Sequence, residues 1–159
     1  MQKLKKDGFL WDDTKDFQSR DRFVSLRVYR ERSDVLLKLD FVNDVAPHFG
    51  DFIKTEIFYR TDSIRNMLSN KLTALFRFAG KDVADIREIA LHESVNWAEI
   101  VNEARQKDAG IELFAVGEIL KGIPRHEFED IHWTANPGWE KFKKDIDKIA
   151  FDMISVSGD

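Results

Sequence analysis

The spacing of apolar residues divides the chain into a strand-rich first part and a helical second part. Apolar and polar residues alternate along residues 23–29 and again along residues 35–42, which is the period of half-buried strands. The polar residues 31–34 predict a turn between them, so the two runs predict a β-hairpin. A third, shorter strand is predicted at residues 53–59, and a short helix with a loop at residues 1–8.

After Asp62 the apolar residues recur at the i, i+3, i+4, i+7 spacing of amphipathic helices. The first helix is predicted to begin at about Ser63 with Asp62 as its N-cap, and to end at Gly80 as the C′ residue. Residues 111–121 form another predicted helix, and residues 125–134 an irregular connection. A second helix is predicted to start at about Lys81, and Asn96 is the predicted N-cap of a third. Gly122 and Pro124 end the helix of residues 111–121, and a last helix is predicted to begin with Asn136 as N-cap and Pro137 as its first residue.

Strands followed by helices predict an α+β fold, in which a small antiparallel sheet (the hairpin plus a third strand) precedes a helical bundle. We divide the chain into a sheet unit, residues 1–60, and a helical unit, residues 61–159, with a single compact domain as the alternative. A chain of 159 residues is long enough for one domain with a substantial core.

Composition narrows the function classes only a little. The chain is 43% hydrophobic and 34% charged, which is typical of globular proteins, and it has no apolar run long enough to cross a bilayer, so we expect no membrane partner. It contains no cysteine, which excludes disulfides and thiolate chemistry and is compatible with a cytoplasmic location. A net charge of −4 argues against broad sequence-independent binding to nucleic acid, although a local basic patch remains an option.

One lysine interrupts the apolar face of the first helix after residue 62. The members of this face are Ile64, Met67, Leu68, Lys71, Leu72 and Leu75. An ammonium group at such a position either reaches water along its own aliphatic stem or meets a carboxylate or an anionic ligand. Lys71 is therefore a candidate site residue.

Carboxylates that could meet this lysine follow on the next helix and on the second strand. Asp82 and Asp85 are three residues apart and share a helix face. They predict either a structural ion-pair network with Lys71 or part of an anion or metal site, and Asp82 is also favoured by the helix dipole. Asp40 lies inside a strand, where an acid either faces water or serves a site.

The segment LSNKLTALFRFAGKDVADI, residues 68–86, resembles the signature of the nucleotidyltransferase-like toxins of the abortive-infection AbiEii/AbiGii family. The catalytic core of that family is similar to that of DNA polymerase β-type nucleotidyltransferases. The positions that follow the family pattern in order are Lys71, Ala74, Arg77, Lys81, Asp82 and Asp85. The resemblance extends from about Phe23 to Ile123.

The resemblance implies a bacterial, magnesium-dependent nucleotidyltransferase of the toxin–antitoxin type. Its catalytic residues would be Asp40, Lys71, Asp82 and Asp85, with Asp40 as the magnesium ligand. Lys71, Arg77 and Lys81 would contact the nucleotide phosphates. The implied partners are a nucleoside triphosphate and an antitoxin-type protein or RNA acceptor.

The chain departs from the family in one respect. The family carries a glycine-rich turn and an Asp-x-Asp pair on strands upstream of this segment, and neither is present. Since magnesium takes several oxygen ligands, Asp40 alone makes a poor metal site. The resemblance therefore implies a truncated nucleotidyltransferase-like fold that is catalytically incomplete by itself.

Three hypotheses account for this departure. The missing front half is encoded separately or lost, the remnant is retained as a binding or regulatory protein, or a second copy supplies sheet edges in a homodimer. The competing function class is a non-enzymatic interaction or regulatory module, in which Lys71, Asp82 and Asp85 form an internal salt network.

Overall fold

The computed structural model describes residues 1–31, 33, 36–43 and 45–155. Within these residues the chain forms a three-stranded antiparallel sheet and seven α-helices, so the predicted α+β class is confirmed. The chain divides into two compact units, Met1–Ala46 (the N-terminal unit) and Pro47–Asp159 (the C-terminal unit). The sequence predicts this boundary at residue 60, after the predicted strand at residues 53–59.

The N-terminal unit contains one short helix and the sheet: α1 (Gln2–Lys6), β1 (Phe17–Arg20), β2 (Phe23–Tyr29) and β3 (Leu36–Val42). The central strand β2 pairs antiparallel with both neighbours, and the β2–β3 pairing confirms the predicted hairpin. Leu26 and Val28 of β2 are buried, as their alternation predicts. Arg32 and Asp34 of the predicted turn, and Val35 as the predicted start of the second strand, lie outside the described residues.

The third strand of the sheet lies before the hairpin and not after it. β1 joins β2 through Asp21 and Arg22, and Arg22 takes a left-handed φ of 59°. The prediction of a strand at residues 53–59 is wrong. That segment folds back on itself: Ile53 forms an isolated bridge with Thr61, and the Thr55 N–H donates to the Phe58 carbonyl at 2.9 Å.

The C-terminal unit is helical: α2 (Ile64–Ala74), a 3₁₀ turn (Leu75–Arg77), α3 (Gly80–His92), α4 (Trp97–Lys107), α5 (Leu113–Lys121), α6 (Arg125–Glu129) and α7 (Trp139–Ser155). The Asn96 cap of α4 is confirmed, since its side chain accepts a hydrogen bond from the Glu99 N–H. The helix α6 lies where we expected an irregular connection.

Three predicted helix boundaries need correction. The N-cap of α2 is Ser63 and not Asp62, because the Ser63 Oγ accepts from the Asn66 N–H at 3.0 Å. Gly80 is the first residue of α3 and does not end α2; a Cβ at Gly80 would lie 2.4 Å from the carbonyl oxygen of Glu127. The residues Asn136 and Pro137 form a turn ahead of α7, which begins at Trp139.

The core of the C-terminal unit is built from the apolar faces of its helices. The predicted faces of α4 and α7 are confirmed, because their main apolar residues are buried. Phe142 lies at the centre of an aromatic cluster, with ring centroids 5.0 Å from Phe128 and 5.7 Å from Trp133. The residues with 0% exposure in this core are Leu72, Ile86, Ala104, Val116, Leu120, Phe142, Ile146, Ala150 and Met153.

Candidate functional site

Lys71 is positioned by the helix α2 on the side that faces the core. Its helical neighbours Leu68, Leu72 and Leu75 are buried, so the lysine stem lies along apolar surface. The side chain keeps 29% of its exposure and does not extend into open solvent. Its ammonium group turns toward the first turns of α3.

Two carboxylates from α3 meet this ammonium group. The Lys71 Nζ donates to Asp82 Oδ1 at 2.9 Å and lies 2.6 Å from Asp85 Oδ2. The two acids share a helix face because they are three residues apart. The contact predicted from the sequence between Lys71 and both acids is therefore present.

Arg77, in the 3₁₀ turn that follows α2, completes this group of charges. Its Nη2 donates to Asp82 Oδ2 at 2.9 Å, so that each oxygen of the Asp82 carboxylate has a cationic donor. The Asp82 side chain has 0% exposure, whereas Arg77 is 65% exposed. We call Lys71, Arg77, Asp82 and Asp85 the Lys71 cluster; it contains two cations and two anions.

The electrostatics of the cluster favour a charged lysine. Burial acts to lower the pKa of Lys71, but the hydrogen bonds and charges of Asp85 and Asp82 outweigh it and raise the pKa above the usual value for lysine. The ammonium group is thus protonated at neutral pH. A buried carboxylate with two cationic donors is a satisfied ion pair, the arrangement in which a buried charge is tolerated.

The cluster leaves little room for an exogenous ligand at Asp82. A metal ion at Asp82 would meet the positive charges of Lys71 and Arg77, because each carboxylate oxygen is already bonded to one of these cations. Among the residues that the structure describes, no group of three or more histidine, aspartate and glutamate side chains is placed to hold a metal ion.

Lys81 lines a groove next to the cluster. This groove, of about 320 Å³, lies along α3 and the segment 131–135, and Asp85 and Glu88 also line it. Lys81 itself is exposed, as the first turn of α3 directs it away from the core. Trp133 and Ile131 contribute apolar surface to the same groove.

Asp40 belongs to the N-terminal unit, where it lies on β3. Its Oδ1 accepts from the Ser25 Oγ at 2.6 Å across the β2–β3 pair, and its Oδ2 lies 2.8 Å from the Lys38 Nζ. The hydrogen bonds from Lys38 and Ser25 lower the pKa of Asp40 below its usual value. The described partners of Asp40 are therefore its strand neighbours.

Sequence reasoning missed a second buried ion pair, which joins α3 to α7. The side chain of Arg87 is 4% exposed, and it donates to Asp145 Oδ2 from Nε at 2.9 Å and from Nη2 at 2.5 Å. Burial acts to raise the pKa of Asp145, but the hydrogen bonds from Lys141 and Arg87 outweigh it and hold this pKa below the usual value. The signal in the sequence is the position of Arg87, four residues after Val83 on the apolar face of α3.

A third set of polar contacts joins α2 to α4. The buried Glu103 bonds to Arg65 through Oε1, and the Lys107 Nζ donates to the side-chain oxygens of Asn66 and Asn70, each at 2.6 Å. Glu103 follows Ile100 by three residues, so the sequence places this acid on the apolar face of α4 and indicates that it is buried. Each of the three sets of contacts thus ties one helix of the unit to another.

Comparisons of the chain with protein-family models, with curated proteins and with solved structures return no match. Among the described residues, no helix is both long and apolar enough to span a membrane.

Proposed function

We propose that this protein is a non-enzymatic interaction module, in which the Lys71 cluster is a structural tie between α2 and α3. The observation that carries the proposal is the Asp82 carboxylate, which has no exposed surface and has each of its oxygens bonded to a cation of the same chain.

The coordination chemistry of phosphoryl transfer supports the same choice. Enzymes that transfer a nucleotidyl group need carboxylate oxygens that are free to hold magnesium ions against the triphosphate. In the Lys71 cluster the buried acid already has its donors, and Asp85 contributes its Oδ2 to the same lysine. A cluster of this kind holds two helices in place.

Exposed apolar side chains support a role in binding other proteins. Ile57, Phe58 and Tyr59 project from the loop between Ile53 and Thr61, with 84%, 60% and 79% exposure. β3 also exposes apolar side chains. Contiguous exposed apolar surface in a folded chain is characteristic of a binding surface. A cytoplasmic location remains part of this proposal.

The second candidate is the nucleotidyltransferase-like protein that the AbiEii/AbiGii resemblance implies, incomplete by itself and dependent on magnesium. The exposure of Arg77 and of Lys81 favours it, since both cations could contact a phosphate at the solvent side of the cluster. Asp40, Lys71, Asp82 and Asp85 would then be the catalytic set, with an antitoxin-type protein or an RNA as partner.

Thermal unfolding with and without millimolar nucleoside triphosphate and magnesium separates the two candidates. A ligand that binds the native state must raise the melting temperature by mass action. The interaction module predicts no rise. A rise in the wild type that is lost in Lys71→Met would contradict the module and support the transferase.

The variants have a second readout in the absence of nucleotide. Lys71→Met leaves the buried Asp82 with Arg77 alone, so we expect a loss of about 2–3 kcal/mol in the free energy of unfolding. Lys81→Met is the matched control, because Lys81 is exposed on the next element, and its effect should stay within about 0.5 kcal/mol. Equal stability of the two variants would contradict a structural role for Lys71.

A further inference from the structure

We propose that β3 pairs antiparallel with β3 of a second copy of this chain, so that two three-stranded sheets become one six-stranded sheet across a two-fold axis. The proposal concerns the N-terminal unit and is independent of whether the C-terminal unit binds nucleotide.

The outer edge of β3 is open in the described part of the chain. The strand order is β1-β2-β3, which places β3 at the end of the sheet. The Asn43 N–H donates to the Arg22 carbonyl at 2.8 Å. Arg22 and Asn43 are therefore a hydrogen-bonded pair, next to the Phe23–Val42 pair of the β2–β3 ladder. Since hydrogen-bonded and non-hydrogen-bonded pairs alternate in an antiparallel ladder, Leu37, Leu39 and Phe41 direct their backbone groups to β2.

The backbone groups at the alternate positions of β3 therefore point away from β2. These positions are Leu36, Lys38, Asp40 and Val42. Apolar side chains are exposed along the same strand, with 61% exposure at Leu36, 57% at Phe41 and 66% at Val42. A seven-residue edge strand with exposed apolar side chains is a template for pairing with another strand.

The sequence of β3 is complementary to itself in the antiparallel direction. When Leu39 faces Leu39 of the second copy, Lys38 faces Asp40 and Leu37 faces Phe41. The same register places Leu36 opposite Val42, so all seven residues are paired. Opposite charges and apolar pairs directly across two strands each stabilise a sheet.

The other registers are less favourable. Only alternate residues of β3 direct backbone groups outward, so the register can shift only in steps of two residues. One such step places Lys38 opposite Lys38, and the step in the other direction places Asp40 opposite Asp40. Like charges directly opposite each other destabilise a sheet. Charge thus selects the register centred on Leu39, and with it a second copy as the partner.

A single introduced cysteine tests the register, because the natural chain contains none. In the proposed dimer the two Leu39 residues form a non-hydrogen-bonded pair with Cα atoms about 4.5 Å apart, which a disulfide can bridge. We expect Leu39→Cys to form a disulfide-linked dimer under mild oxidation at least about tenfold faster than Val42→Cys. The two Val42 residues would be about 20 Å apart, six residues along the strand. Equal rates for the two variants, or no dimer from Leu39→Cys, would overturn the proposal.

Charge reversal provides an independent test in the absence of an oxidant. Sedimentation equilibrium should show a concentration-dependent dimer for the wild type, and monomers for Lys38→Asp and Asp40→Lys separately, because each variant places like charges opposite each other. A mixture of the two variants should form a one-to-one dimer, since each acid then faces a lysine. A wild type that stays monomeric, single variants that dimerise like the wild type, or a mixture of folded variants that stays monomeric would overturn the proposal. Should either variant fail to fold, the cysteine test decides, since it changes no charge.

Discussion

The two units of this protein differ in how many of their apolar residues they bury. The C-terminal unit buries apolar side chains from α2, α3, α4, α5, α6 and α7 in one continuous core. In the N-terminal unit, the only described apolar residues that are fully buried are Leu26 and Val28, while Phe41 and Val42 are exposed. Because apolar burial is the dominant favourable term in folding, the C-terminal unit has the means to be stable by itself. The N-terminal unit has little such burial, and its edge strand β3 presents exposed apolar side chains that a partner can cover.

Charged residues show the same contrast. In the C-terminal unit, Asp82, Arg87 and Glu103 are buried and each is bonded to a side chain on another element. In the N-terminal unit, Asp40 remains partly exposed and bonds to its neighbours Lys38 and Ser25. Buried charges need their own partners within the fold, whereas an exposed pair can still exchange partners with another molecule.

The largest effect should come from the core of the C-terminal unit. Phe142→Ala removes a fully buried ring that contacts Phe128, Trp133 and Trp139, so we expect the free energy of unfolding to fall by about 3–5 kcal/mol. Urea unfolding measures this change. Phe151→Ala, on an exposed position of the same helix, should stay within about 0.5 kcal/mol. Similar losses for the two variants would mean that the core does not lie where we describe it.

A slightly smaller effect should follow from breaking the α3–α7 ion pair. Asp145→Ala leaves the buried Arg87 guanidinium without its main carboxylate, and we expect a loss of about 3 kcal/mol in the free energy of unfolding. The exposed Asp152 on the same helix gives the matched control, Asp152→Ala, for which chemical denaturation should show almost no change. A loss below about 1 kcal/mol for Asp145→Ala would show that this pair does not join the helices.

Stability should also depend on pH at both extremes. Folding lowers the pKa of Asp145 below its unfolded value of 3.8. The contribution of Asp145 to stability is therefore fully present above pH 3.8, and it is lost as the pH falls through the lower pKa of the folded state. Folding raises the pKa of Lys71 above its unfolded value of 10.5. The contribution of Lys71 to stability is therefore fully present below pH 10.5, and it is lost as the pH rises through the higher pKa of the folded state. A fall in pH from 7 to about 3 should therefore lower the free energy of unfolding more in the wild type than in Asp145→Asn. Denaturant unfolding at the two pH values measures this difference. Equal losses in the two proteins would contradict the coupling of Asp145 to Arg87.

The smallest effect concerns the start of α2. Ser63→Ala removes the side-chain oxygen that accepts from the Asn66 N–H, so we expect a loss of about 1 kcal/mol. Asp62→Ala tests the cap that the sequence suggested, and thermal unfolding should show the smaller change for this variant. The reverse order would restore Asp62 as the cap.

The apolar faces of the helices could be predicted from the sequence, because apolar residues recur along it with the period of a helix. The contact of Lys71 with Asp82 and Asp85 was one of the two predicted alternatives: a cation on an apolar face either reaches water along its stem or meets an acid, and two acids share a face on the next helix.

Contacts between distant parts of the sequence were harder to predict. β1 has a polar sequence without apolar alternation, so nothing in its period indicates a strand; its pairing with β2 depends on the turn at Asp21 and Arg22. From the sequence, Gly80 predicts the end of a helix. In the fold it is the first residue of α3, where the backbone of Glu127, 47 residues away, packs against it. The bond of Arg87 to Asp145 spans 58 residues and needs the packing of α3 on α7. Periodicity carries no information on such pairings.

Amide hydrogen exchange along β3 tests the contrast between the two units most directly. The N–H groups of Leu37, Leu39 and Phe41 face β2 and should exchange slowly at every protein concentration. The N–H groups of Lys38 and Asp40 should exchange quickly in dilute protein and become slow in concentrated protein, when a second copy covers the edge, while amides in the core of α3 and α7 should not respond to concentration. Fast exchange at Lys38 and Asp40 at all concentrations would contradict the account.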